Sequence, residues 1–505
     1  MGSYNKLDRD FLQRESNFLR NMGIGFHINK NNTVSGLEEK VLQFGEGNFL
    51  RAFMDSFIDK LNIKGFFNGR IAIVQPIPQG MANELNAQGC CYTVVLRGLE
   101  GGKPVASKQI VTSINRVINP YTDFDTYVET MKNPQLRYII SNTTEAGIAY
   151  LETDKLCDRP PASFPGKVTA LLYERYKHFG GDMAKGFIFL PCELIDNSGD
   201  TLKEVVLCYA SKWKLPDDFI TWVDKANYFA NTLVDRIVTG YPRDEAGVFE
   251  AELGYKDDML VTGEIFHFFA IEAPVNVLQE IESDMPFKNA GLNVVLTSDV
   301  TSYKMRKVRI LNGSHTMSVL AARLAGIETV GEMMGDPLFI EYLKKGIYEE
   351  IIPTLDLDEE DLMSFAASVF DRFSNPHIKH YLLSIALNSV SKFKARVLPT
   401  IYDYYKKKDR LPDVLTFSFA ALIAFYKTNE ANDSPEVLEF FNAQWQQATS
   451  ETCDFSAIVS ATCAHAAFWD TDLNKLPGFA HKAAGYLQSI QTVGVAESLK
   501  RLLLR

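Results

Sequence analysis

Nine residues, Lys307-Val308-Arg309-Ile310-Leu311-Asn312-Gly313-Ser314-His315, bring together an amine, a carboxamide and an imidazole. An amine that gains and loses a proton beside two hydrogen-bond donors can move a proton to or from a carbonyl or hydroxyl oxygen. On an α-helix at about 100° per residue, Lys307, Asn312 and His315 fall within roughly 140° of one another, with Asn312 and His315 neighbours at i,i+3. Lys307 and His315 are still roughly 12 Å apart along such a helix. Either the lysine reaches along the groove or the helix deforms near Asn312-Gly313. Taken alone, the stretch also fits a solvated Lys307/Arg309 face with His315 as a satisfied, partly buried ring.

Two loops offer ligand sites. Gly45-Glu46-Gly47 follows the apolar run Lys40–Phe44 and precedes a helix carrying Phe49, Phe53, Phe57 and Leu61 at spacing four. A Gly-x-Gly turn there lets backbone N–H groups approach a pyrophosphate, although position 50 is leucine where the usual fingerprint has a third glycine. Ser141-Asn142-Thr143-Thr144-Glu145 sits at the carboxyl end of another apolar run, where open α/β sheets bind ligands. Glu145 reads equally well as a solvated loop acid. The carboxylate that usually holds a ribose 2′-hydroxyl is missing, because the next run ends at Gln75-Pro76, and no clamp for a 2′-phosphate replaces it.

The elements that must carry these loops alternate. Arg70–Gln75, Arg137–Ser141 and Gly186–Leu190 are apolar without clean alternation, as buried parallel strands are, and a helix runs through Leu171-Leu172. Tyr92–Arg97 and Gln109–Val111 read as an inserted hairpin around Gly98 to Lys103. From about residue 300 the pattern is helical, with helices expected over 303–325, 338–350, 360–373, 378–392, 395–407, 413–428, 434–448 and 478–503. The fold class is therefore α/β plus all-α: a Rossmann-like, doubly wound sheet over 1–295 with an N-terminal extension, then a helical domain over 296–505.

Composition excludes several functions. The 505 residues are 46% hydrophobic and 23% charged, an ordinary globular balance. The 52 basic against 63 acidic side chains give a net charge of -11, and no basic stripe interleaved with aromatics occurs, which disfavours nucleic acid. Seven cysteines, an odd number without C-x-x-C, suit reduced thiols in the cytoplasm. No secretory signal opens the sequence, and no run approaches the roughly 18 apolar residues of a membrane span, Phe417–Tyr426 being the longest. His377-x-x-His380 lacks a third ligand, so no metal is expected. The acidic run 356–361 lacks EF-hand spacing, and Lys406–Lys408 reads as a helix end.

The string K-x-R-x-L-N-x-x-H at 307–315 resembles the active-site signature of the polyol-specific long-chain dehydrogenases, the mannitol dehydrogenase family. Gln43 to Phe53 is similar to the nucleotide loop of the sugar-acid-reducing branch of that family, Glu145 lies in the context of a family glutamate, and Val234-Asp235-Arg236-Ile237 matches its V-D-R-I. Asn375-Pro376 with Asn388–Lys392 resembles a segment whose lysine is Lys392 and whose arginine is Ser384 here. Leu194 replaces a substrate-contacting asparagine. These strings occur in family order from about residue 38.

The resemblance implies a metal-independent enzyme using NAD, held by Phe44, Gly45, Gly47, Asn48, Phe49 and Arg51. It implies Lys307 as acid/base, Asn312 and His315 on the reacting oxygen, Glu145 as proton relay, and Asp235 orienting His315 or lining the cleft. Lys392, with Arg309 or Arg396 behind it, is left to face a carboxylate. The expected reaction is reduction of a small sugar acid, D-tagaturonate to D-altronate. Fructuronate reduction, polyol dehydrogenation and an inactive nucleotide-binding regulatory or scaffold protein are the alternatives, the last disfavoured by the intact Lys307, Asn312 and His315.

Overall fold

The computed structural model describes residues 4–28, 36–144, 146–447 and 454–504. The chain divides into two compact units, Met1–Arg97 with Val105–Val300, and Gly98–Pro104 with Thr301–Arg505.

In the first unit six strands form one sheet: β1 (Glu39–Phe44), β2 (Arg70–Val74), β3 (Ile114–Ile118), β4 (Tyr138–Ser141), β5 (Ile188–Pro191) and β6 (Tyr228–Phe229). Their order is β3-β2-β1-β4-β5-β6 and every pairing is parallel. Side chains alternate between two cores. Val41, Ile71, Ile73 and Ile140 enter one, while Leu42, Phe44, Ala72, Val74 and Ile139 enter the other, which packs on helices Phe164–Phe179 and Ser198–Lys212. Burial on both faces explains the continuous apolar runs. The order reverses at β1/β4, so the loops after these strands diverge and open a crevice at their carboxyl ends.

Two smaller sheets complete the unit. The hairpin Tyr92–Glu100/Lys103–Val111 joins Val261–Glu264 and Val238–Gly240, and Asn231–Asp235 runs antiparallel to Phe268–Glu272. The continuous helix expected after Gly47 is instead two helices, Asn48–Arg51 and Met54–Ile63. The cause is competition for carbonyls: Tyr92 Oη donates to Arg51 O at 3.1 Å and Arg236 donates to Ala52 O at 2.5 Å.

The second unit is helical around Asp413–Phe425, which is buried from Val414 to Phe425 and packs on Gly313–Leu324 and Phe479–Val493. The expected helix over 378–392 is absent. Leu382 and Val330 N–H groups bond to Glu328 O and His380 O, so this backbone pairs sideways before the short helices Leu382–Ile385 and Ser389–Arg396. Asn388 between them takes a left-handed φ of 53°, which asparagine tolerates. Gly494, at φ 81°, likewise divides the helix expected over 478–503, and Phe455–Ala464 is a helix the sequence reading did not include. Glu350, in a π-helical turn over Lys345–Ile351, accepts the N–H groups of Asp413, Val414 and Leu415 and so holds the start of the central helix.

Candidate active site

Of the two arrangements the spacing left open, the 307–315 stretch takes the deformed helix. Helix Thr301–Arg306 passes into a π-helical turn, Lys307–Asn312, and then into helix Gly313–Leu324. Gly313 N–H reaches Val308 O, five residues back. A π turn widens the helix so that residue i+5 lies nearly above residue i, which brings Asn312 over Lys307; single π turns of this kind recur at functional sites. Gly313 also admits a neighbour. A β-carbon there would lie 3.3 Å from Arg396 O, so helix Ser389–Arg396 packs close against the turn.

Asn312 is half-buried, and its carboxamide has no hydrogen-bond partner among the described residues. Lys307 is half-buried at the start of the turn. The His315 ring stacks on Phe373 at 4.1 Å between centroids and meets the edge of His380 at 5.4 Å. The residue keeps some surface, but its Nε2 is sealed from water and lacks a partner. Burial first, then His380, Arg372, Arg396 and Lys392, hold its pKa well below the usual histidine range. A neutral imidazole with an unused ring nitrogen, beside an unused carboxamide, suits holding one oxygen.

His377 lies in a turn after helix Glu359–Phe373, and His380 lies in irregular chain against His315. Among the described residues no group of three metal-ligating side chains forms. Arg309 is buried and bonded to Asp403 at 2.6 Å, which removes it as a partner for a substrate carboxylate. Lys392 is half-buried, with its ammonium donating to Ile385 O at 2.8 Å. Ser384 is exposed and bonded to Tyr381 O, and Leu194 is 66% exposed. Asp235 is buried at the end of its strand, and Arg236 donates to the carbonyls of Ala52, Ile265 and Phe266. Glu145 lies outside the described residues.

In the first unit Gly45 leaves β1 at φ +115°, a conformation L side chains rarely adopt. Gly47 and Asn48 are exposed, and no side chain caps helix Asn48–Arg51, so its first N–H groups are left for an anion. Glu46 turns inward, accepting Met81 N–H at 3.1 Å, and burial raises its pKa. Phe44 is core and Phe49 half-buried. Arg51 is buried, donating to Met259 O and to Asn48 Oδ1, so it braces the loop. Gln75, at the end of β2, spends its amide on Ile77 O, Pro78 O and Ala82 N–H. This cradle fits a pyrophosphate.

Beneath it, Gln43 Nε2 donates to Gly45 O at 3.0 Å, while Gln43 Oε1 and Asp55 Oδ1 are buried without donors. Tyr92 donates to Asp55 Oδ2 at 2.9 Å, and burial lifts the Asp55 pKa to about 7. A proton on the Asp55 carboxyl removes the cost of burying its charge in this place.

Comparison with known proteins agrees with this architecture. The family model described as the mannitol dehydrogenase Rossmann domain matches residues 39–284, and that of the mannitol dehydrogenase C-terminal domain matches 299–491. The chain belongs to the mannitol dehydrogenase family. Altronate oxidoreductases of Shigella flexneri and Escherichia coli O139:H28 are each 45% identical to it over 471 residues, spanning 92% of this chain and 97% of theirs. The mannitol dehydrogenase fold recurs in a substrate-free D-sorbitol dehydrogenase structure, with 22% identity and TM-score 0.76 over 92% of this chain and 96% of that one. It recurs also in Pseudomonas fluorescens mannitol 2-dehydrogenase in ternary complex with NAD and D-mannitol, with 21% identity and TM-score 0.64 over 94% and 96%.

Proposed function

We propose that this oxidoreductase of the mannitol dehydrogenase family interconverts D-tagaturonate and D-altronate, using NADH and NAD. The observation that carries the reading is the 45% identity to altronate oxidoreductases along nearly the whole of both chains. Residues 1–295 hold the nucleotide and 296–505 the sugar acid. Bound NADH supplies the hydride for the ketone carbon. Lys307 Nζ gives its proton to the ketone oxygen as negative charge develops there, and Asn312 with neutral His315 hydrogen-bonds that oxygen. Glu145 returns the proton to Lys307 from solvent, and Asp235 lines the site. Lys392 supports the substrate's anionic end.

NAD rather than NADP is supported by Gln75, whose amide is committed to its own loop, and by the absence of any Lys or Arg from Gln75 to Ala82. No described helix is long and apolar enough to cross a membrane, and the described cysteines are unpaired; a cytoplasmic setting is part of the proposal. The test is NADH oxidation with D-tagaturonate, D-fructuronate and D-fructose. The largest kcat/KM belongs to tagaturonate on this reading, and a larger value for either other ketone would replace it.

A further inference from the structure

Several cations of the helical unit are held by carboxylates. Arg306 is bonded to Asp361, Arg309 to Asp403, Arg323 to Glu430 and Lys394 to Asp470. Lys392 and Arg396 have no carboxylate partner among the described residues. The Lys392 ammonium donates to Ile385 O, and Arg396 reaches only Thr316 Oγ1, at 3.5 Å, the outer limit of a hydrogen bond. They stand four apart on helix Ser389–Arg396 and so share a face.

Both side chains are half-buried, and burial lowers both pKa values. Arg396 also presses on Lys392, and both press on His315, where every charge that acts is positive. Asp433, the one acid felt by Lys392, is already bonded to Tyr426 Oη and Val390 N–H. Two like charges on one helix face, partly withdrawn from water and without a counter-ion, are stabilised by an arriving anion. The position suits a substrate. Thr316, which Arg396 touches, donates to Asn312 O at 3.0 Å, and Arg396 O packs on Gly313, so the guanidinium lies beside the junction of the turn that carries Asn312 and the helix that carries His315.

We propose that Arg396 is the specificity-determining residue that receives the carboxylate of the sugar acid, with Lys392 as the second cation; this rests on the sugar-acid reading above. A guanidinium with open donors binds a carboxylate through two parallel hydrogen bonds, which an ammonium already spent on a carbonyl does not do. The uncharged end of a polyol or ketose gives Arg396 no such partner.

The test compares wild type, Arg396→Gln and Arg396→Lys on D-tagaturonate and on D-tagatose, which carries a hydroxymethyl group in place of the carboxylate. Competitive inhibition by altronate and by altritol gives the same contrast where tagatose turnover is slow. Arg396→Gln is expected to raise KM for tagaturonate and Ki for altronate roughly 10- to 100-fold, the size of a lost charged hydrogen bond, with kcat and the uncharged ligands little changed. Arg396→Lys falls between, and it carries the test if Arg396→Gln does not fold. Equal losses on charged and uncharged ligands, or an unchanged KM for tagaturonate, overturn the assignment. A wild type that does not reduce tagaturonate at all removes the underlying reading instead.

Discussion

Asp55→Asn is expected to stabilise the protein by an amount that grows with pH. The carboxyl is fully buried, Tyr92 donates to one oxygen, and the other has no donor among the described residues. Burial lifts its pKa from 3.8 to about 7, against the smaller opposing pulls of Tyr92, Gln43 and Arg51. A carboxyl whose folded pKa is raised contributes stability that is complete below its unfolded pKa, declines as pH rises toward the folded value, and is absent above it. At 1.36 kcal/mol per unit, the shift amounts to about 4 kcal/mol at pH 8, of which about 2.5 kcal/mol accrues between pH 5 and pH 8. Asparagine has the shape of the protonated acid, so it keeps an oxygen for Tyr92 and loses the titration. Because the two units need not unfold together, the suitable assay is native-state hydrogen exchange of β1 and β2 amides across that pH range. The difference between Asp55→Asn and wild type should widen toward pH 8. A difference that stays constant or narrows refutes a raised Asp55 pKa under the glycine loop.

Gly45→Ala should destabilise the first unit by about 1–3 kcal/mol and weaken NADH binding, because the strain lies in φ rather than in space: the added carbon would make only ordinary contacts, 3.6 Å to Leu50 and 3.8 Å to Asn142 O. Fluorescence titration with NADH reads this out, and unaltered binding would place the pyrophosphate elsewhere. NADH should give a larger kcat/KM than NADPH, and the reverse order would show that the loop after Gln75 has been misread. Glu145→Gln should slow turnover or shift its pH dependence without abolishing it; an unchanged rate and profile returns Glu145 to a solvated loop.

The parallel sheet was legible because burial on both faces leaves unmistakable apolar runs, and β1, β2, β4 and β5 lie where those runs are. The 307–315 stretch was half legible. Spacing alone showed that Lys307 and His315 lie far apart along a regular helix, but not that a π turn begins at Lys307. Helix breaks at Arg51-Ala52 and over 378–388 escaped the pattern because their causes are distant in sequence: Tyr92 and Arg236 take carbonyls in one case, and backbone of 328–330 pairs with the chain in the other. The same distance hid Asp403, which neutralises Arg309, and Phe373 and His380, which enclose His315. Asn375-Pro376 was the one local signal near them.

The central claim is that Lys307 transfers the proton in reduction of a sugar-acid ketone. Its most direct test is the rate of D-tagaturonate-dependent NADH oxidation by wild type and by Lys307→Ala, with NADH affinity measured on both. The account predicts turnover by wild type, a loss of roughly 100-fold or more in kcat for the variant, and little change in NADH binding. Turnover by Lys307→Ala close to that of wild type would contradict it.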